Sequence, residues 1–129
     1  MRLNVQSDYA LRLLMFLAVN RDRLCTIAEI SAHYDISRNH MMKVAQQLGH
    51  IGYVDTVKGR SGGLRLAMEP EQIPIGNVVR RMEGDFAIVE CFAGRTNTCL
   101  ITPACRLNGI LAEAVSAFLA VLDQSSIAD

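Results

Sequence analysis

Between Thr26 and Ile51 the chain has room for two short helices and almost nothing to join them, and this restricts its fold more than any other feature. In Thr26-Ile27-Ala28-Glu29 the threonine hydroxyl can accept from the third helical amide while the glutamate reaches back to the capping amide. That capping box opens a helix over about Ile27 to Tyr34. Asp35-Ile36 then makes a tight connection, and Ser37 caps a further helix reaching about Ile51. Met41, Val44, Ala45 and Leu48 follow the i, i+3, i+4, i+7 spacing of one buried face. The opposite face carries Arg38, Asn39, His40, Lys43 and Gln47, amide and cationic groups suited to phosphates and base edges. The pair reads as a helix-turn-helix whose second member is the recognition helix, although no glycine marks the turn.

The flanking segments extend this unit. A first helix is expected from Ser7 to Val19, with Leu11, Leu14 and Ala18 on one side. Leu13, Phe16 and Leu17 widen its apolar surface enough to meet more than one neighbour. After the recognition helix, Tyr53 to Lys58 is rich in strand formers and Leu64-Arg65-Leu66 alternates at period two. Gly59-Arg60-Ser61-Gly62-Gly63 between them is a turn, so the whole is a β-hairpin wing. Ile75 to Met82 reads as a short helix closed by Gly84, and periodicity is lost from Asp85 to Ile101.

Thr102-Pro103 provides a cap and a first helical position for a last helix to about Asp123. Leu107, Ile110, Leu111, Ala114, Val115, Phe118, Leu119 and Leu122 make it too apolar to face water, so it is expected to pack on its twin in a twofold homodimer. The residues from Gln124 onward are expected to fray. The expected fold is thus mainly α with a small β-hairpin wing. It comprises a winged helix-turn-helix DNA-binding domain over 1–84, a cysteine-bearing loop over 85–101, and a long C-terminal dimerisation helix with its tail over 102–129.

A chain of 129 residues, 50% apolar, can bury one core. Its formal net charge of zero at first argues against nucleic acid, but the charge is unevenly spread. Met1 to Arg65 holds nine Lys or Arg against five Asp or Glu, +4, and Leu66 to Asp129 holds four against eight, −4. The basic half is the one with the helix-turn-helix, and double-stranded DNA is the expected partner. The apolar stretch from Ala10 to Val19 resembles a secretory signal core, but Asp8 and Arg12 interrupt it and no small-residue cleavage site follows. With no run long enough to span a bilayer, a soluble cytoplasmic protein with no membrane partner is expected.

Of the four cysteines, Cys91, Cys99 and Cys105 crowd into one segment in a C-x7-C-x5-C arrangement. Zinc sites usually draw on tight C-x2-C knuckles, so the larger footprint of an iron-sulfur cluster suits this spacing better. Cys105 falls in the first turn of the last helix, where the dipole favours a thiolate. Against this stands the reading of three unligated thiols, since free cysteine is often a small buried hydrophobe. Cys25, just before the Thr26 cap, reads as a packing residue.

His33, His40 and His50 read as ordinary polar positions, with His40 the best placed for DNA. Arg60, flanked by glycine, could be only a solvated hairpin tip; following the two helices, it is better placed for insertion toward a minor groove. Glu69 and Glu71 have no catalytic group converging on them, and the chain carries no phosphate-binding glycine loop, nucleophile elbow or metal-binding His pair. No enzyme activity is expected.

Several motifs resemble the Rrf family of winged-helix regulators over essentially the whole chain. They are Asp8-Tyr9-Ala10-Leu11-Arg12, Ser37-Arg38-Asn39-His40-Met41, Gly59-Arg60-Ser61-Gly62-Gly63-Leu64-Arg65-Leu66 and, most specifically, Cys99-Leu100-Ile101-Thr102-Pro103-Ala104-Cys105-Arg106-Leu107. The resemblance is to the family's nitric-oxide-sensing repressors. It implies an iron-sulfur cluster, 4Fe–4S with 2Fe–2S as the alternative, held by Cys91, Cys99 and Cys105, with Asp8 from the partner subunit as fourth ligand. It also implies a repressor that binds an inverted-repeat operator and releases it when nitric oxide nitrosylates the cluster. Another branch completes its cluster with a histidine shortly after the third cysteine, whereas Arg106-Leu107-Asn108-Gly109 here contains none. The remaining alternatives are an iron-sulfur or redox-sensing regulator of that branch and a zinc or thiol redox protein. A helix-turn-helix with a wing speaks against the latter, since a redox enzyme needs neither.

Overall fold

The computed structural model describes residues 3–84 and 106–129. Helix α1 spans Val5–Val19, α2 Ile27–Tyr34 and α3 Arg38–Ile51. Strands β1 (Val54–Val57) and β2 (Gly63–Leu66) precede a 3-10 turn at Pro70–Gln72, then α4 (Ile75–Glu83) and α5 (Arg106–Asp123). The loop expected over 85–101, Cys91, Cys99 and Cys105, and the Thr102-Pro103 start of the last helix lie outside the described residues.

Side-chain caps start three of the helices. Thr26 Oγ1 accepts from the Glu29 amide at 3.1 Å, and Ser37 Oγ accepts from the His40 amide at 3.2 Å. The expected capping box is only half made, because the Glu29 carboxylate turns to the Arg23 guanidinium instead of the Thr26 amide. Helix α1 begins two residues ahead of the expected Ser7, since Asn4 Oδ1 accepts from the Ser7 amide at 2.7 Å and so caps it there. The turn between α2 and α3 uses Asp35 at φ 56°, a left-handed position that aspartate tolerates better than most residues. That is how the helix-turn-helix closes without glycine.

The wing is antiparallel, with Val54 opposite Leu66 and Val57 opposite Gly63. Cys25 adds a further bridge on the other edge of β2. Its amide donates to the Leu64 carbonyl at 2.9 Å and its carbonyl accepts from the Leu64 amide at 2.7 Å. This close approach requires Gly63, because a Cβ there would lie 2.7 Å from the Cys25 carbonyl oxygen.

Leu13, Leu14 and Leu17 of α1 meet Ile30, Met41, Val44, Leu48, Val54, Leu64, Leu66, Val78 and Met82 in one core. The breadth of the α1 apolar surface is used as expected, since the helix packs on α3, α4 and β2. The tail does not fray. Ile127 is 5% exposed within the core, its amide donates to the Ile73 carbonyl at 3.0 Å, and the Ile75 amide donates to the Ser125 carbonyl at 3.0 Å. Burial of one branched side chain, together with backbone pairing across Pro74 and Ser126, holds the end of the chain down. No helix among the described residues is long and apolar enough to cross a membrane.

Candidate nucleic-acid interface

Helix α3 divides cleanly by burial. Met41, Val44, Ala45 and Leu48 are buried, while Arg38, Asn39 and Lys43 are exposed. His40 differs from these three: it is half-buried and its ring stands edge-on to Tyr9, with centroids 4.7 Å apart. Met42, Gln46, Gln47 and His50 are also exposed on this helix. Met42 and Gln46 were not singled out from sequence; both lie off the buried stripe, which is the signal that identifies them. Together these side chains offer amide donors and acceptors, cations and one apolar group, the chemistry that reads base edges in a major groove.

Arg60 sits exposed at the tip of the wing, between Lys58 and Arg65, which are also exposed. Gly59 takes φ 109° to turn the hairpin there. Lys58 and Arg60 thus lie at the turn of the wing, with Arg65 further down β2 opposite Asp55, and the recognition helix exposes Arg38 and Lys43. Exposed cations of this kind are suited to phosphates and need no enclosed pocket.

Asp8 lies in the first turn of α1, about half exposed, with its Oδ1 3.0 Å from Arg12 Nε. The Arg12 guanidinium is 5.7 Å from the centre of the Tyr34 ring, and the Tyr34 hydroxyl donates to the Arg12 carbonyl at 3.0 Å. Cys25 is fully buried, and burial pushes its thiol up from its ordinary pKa, so it stays protonated as a packing residue. Among the described residues no group of His, Cys, Asp and Glu is assembled to hold a metal ion. Helix α5 buries none of its residues; Leu107, Ile110, Phe118 and Val121 are 41–64% exposed.

Solved structures share this fold. IscR of T. potens superposes with a TM-score of 0.79 at 21% identity, covering 100% of this chain and 85% of that one. CymR, the global cysteine regulator of B. subtilis, superposes with a TM-score of 0.75 at 22% identity, covering 100% and 95%. Sequence relatives are much nearer. The HTH-type transcriptional regulator NsrR of Bacillus subtilis is 52% identical over 130 aligned positions, covering 100% of this chain and 89% of the relative. Its counterpart in Shouchella clausii is 48% identical, covering 100% and 87%. The Rrf2 family profile, described as an iron-dependent transcriptional regulator, matches residues 3–129. The chain is a transcription regulator rather than an enzyme, and it belongs to the Rrf2 family.

Proposed function

We propose that this chain is a homodimeric, nitric-oxide-responsive repressor that binds an inverted-repeat operator through α3 and the wing. The observation that carries this reading is identity with regulators named NsrR over the full chain, which takes in the segment holding Cys91, Cys99 and Cys105. Two such DNA-reading units related by a twofold axis call for half-sites about one helical turn, or a multiple, apart. The exposed apolar side of α5 supports the dimer, because leaving it in water forfeits its burial energy.

The donor chemistry fits an iron-sulfur cluster. Cys91, Cys99 and Cys105 would supply thiolates, and Asp8 of the partner subunit would supply a carboxylate. Asp8 is about half exposed, its carboxylate paired with Arg12 among the described residues, so another subunit can reach it. Cys25 does not fit, being fully buried in the core. When bound, the cluster supplies an iron that reacts with nitric oxide. The protein's part is to present Asp8 on α1, a helix that packs directly on α3, so that a change at Asp8 is felt at the recognition helix.

Anaerobically purified protein tests this through its iron and sulfide content and through operator binding during nitric oxide titration. Release of the operator is expected near stoichiometric nitric oxide. Alanine at Cys91, Cys99 or Cys105 should abolish the cluster, and Cys25→Ala should spare it. Operator binding that ignores nitric oxide, or iron lost only from the Cys25 variant, would overturn the reading.

A further inference from the structure

The hydrogen bonds that start α1 reach across to the last turn of α4. Ser7, fully buried, donates its hydroxyl to Glu83 Oε2, and the Asn4 amide donates to the same oxygen at 2.8 Å. Asn4 closes the junction from the other side. Its Oδ1 accepts from the Ser7 amide at 2.7 Å, and its Nδ2 donates to the Met82 carbonyl at 3.2 Å. Glu83 ends its own helix, where the dipole disfavours an anion, whereas the amino end of α1 with its free amides favours one. The carboxylate therefore serves α1 rather than α4. Asp8 follows Ser7 in the chain, and its amide donates to the Asn4 carbonyl at 3.2 Å, so the same turn sets its place.

We propose that Glu83 is a positioning residue for the cluster's fourth ligand: by holding the first turn of α1 it sets how Asp8 is offered to the partner subunit. The inference rests on the function proposed above. It adds that one carboxylate ties the turn carrying Asp8 to the last turn of α4.

The test uses the full chain, reconstituted anaerobically with iron and sulfide, as wild type, Asp8→Ala, Glu83→Ala, Glu83→Gln, Ser7→Ala and the Asp8→Ala/Glu83→Ala pair. Visible circular dichroism per bound cluster and melting temperature are measured for each. Glu83→Ala should reproduce the Asp8→Ala spectrum, and the double variant should add nothing to it. Glu83→Gln keeps an oxygen able to accept both donors and should restore the wild-type spectrum, while Ser7→Ala, losing one donor, should fall between. A merely structural role would lower the melting temperature and leave the spectrum per cluster unchanged. That result in Glu83→Ala, or in Ser7→Ala should the former not fold, would overturn the inference alone, provided the spectrum still depends on Asp8. Wild-type protein that takes up no iron, or a spectrum indifferent to Asp8, would overturn the proposed function and this inference with it.

Discussion

Arg80 grips Asp123 with both prongs of its guanidinium, at 2.7 and 2.8 Å, and so ties α4 to the end of α5. Gly76 makes room for the pair, because a Cβ there would lie 1.9 Å from Asp123 Oδ1. Gly76→Ala should therefore evict the carboxylate even though alanine is the better helix former. Asp123→Asn is expected to lower the melting temperature in the wild type and to have almost no further effect in Gly76→Ala. Equal losses in the two backgrounds would mean that the pair survives the added methyl.

The same pair has a pH signature. The hydrogen bonds from Arg80 hold the Asp123 carboxyl below its ordinary value of 3.8. A group lowered in the folded state stabilises it fully above the unfolded value and loses that effect as the pH falls through the folded one. The melting-temperature gap between wild type and Asp123→Asn should accordingly be constant near neutrality and close below about pH 4. Because both side chains are roughly 40% exposed, the gap should also shrink in high salt.

Ile127 anchors the tail, and it borders an open groove lined by Met15, Ala18, Val19 and Pro70. Truncating a buried isoleucine costs about 2–5 kcal/mol, and a site that opens to water should fall at the low end. Ile127→Ala should lower urea-derived stability by about 2 kcal/mol. A loss under about 0.5 kcal/mol, the usual scale of surface substitutions, would mean that the tail is free in solution.

Arg60→Ala should weaken operator and scrambled DNA alike and flatten the salt slope by about one unit, the signature of a lost phosphate contact. Asn39→Ala should instead cost about 1–3 kcal/mol on the operator alone, as loss of a base contact does. A salt series on both duplexes separates the two effects. An Arg60 variant with an unchanged slope would remove the wing from the interface.

Ile110, 61% exposed near the start of α5, tests the dimer most directly. Ile110→Asp puts a charge into the expected apolar seam and should shift sedimentation to the mass of a single chain. The variant should also lose the operator footprint on both half-sites. A stable dimer carrying this substitution would place the interface elsewhere.

Much of this was legible in the residues themselves. Ser37 and Thr26 announce helix starts because a side-chain oxygen satisfies an amide within three residues, and the Met41, Val44, Ala45, Leu48 stripe follows from helical periodicity alone. The buried side of the second wing strand likewise follows from alternation at Leu64 and Leu66. Such signals depend on neighbours a few positions away, so no fold need be known to read them.

What tertiary structure alone decided are the choices between partners distant in sequence. Ile127 looked like part of a polar tail and joined the core. Glu83 accepts from Asn4 and Ser7 at the start of a helix almost eighty positions before it. His40 stood in the polar face by periodicity, yet Tyr9 of α1 covers one side of its ring. The sequence by itself determined the winged helix-turn-helix, because its caps and stripes are short-range. The packing of α1 on α4 and of the tail on Ile73 was decided only in three dimensions, where groups without a local partner compete for the nearest one the fold brings within reach.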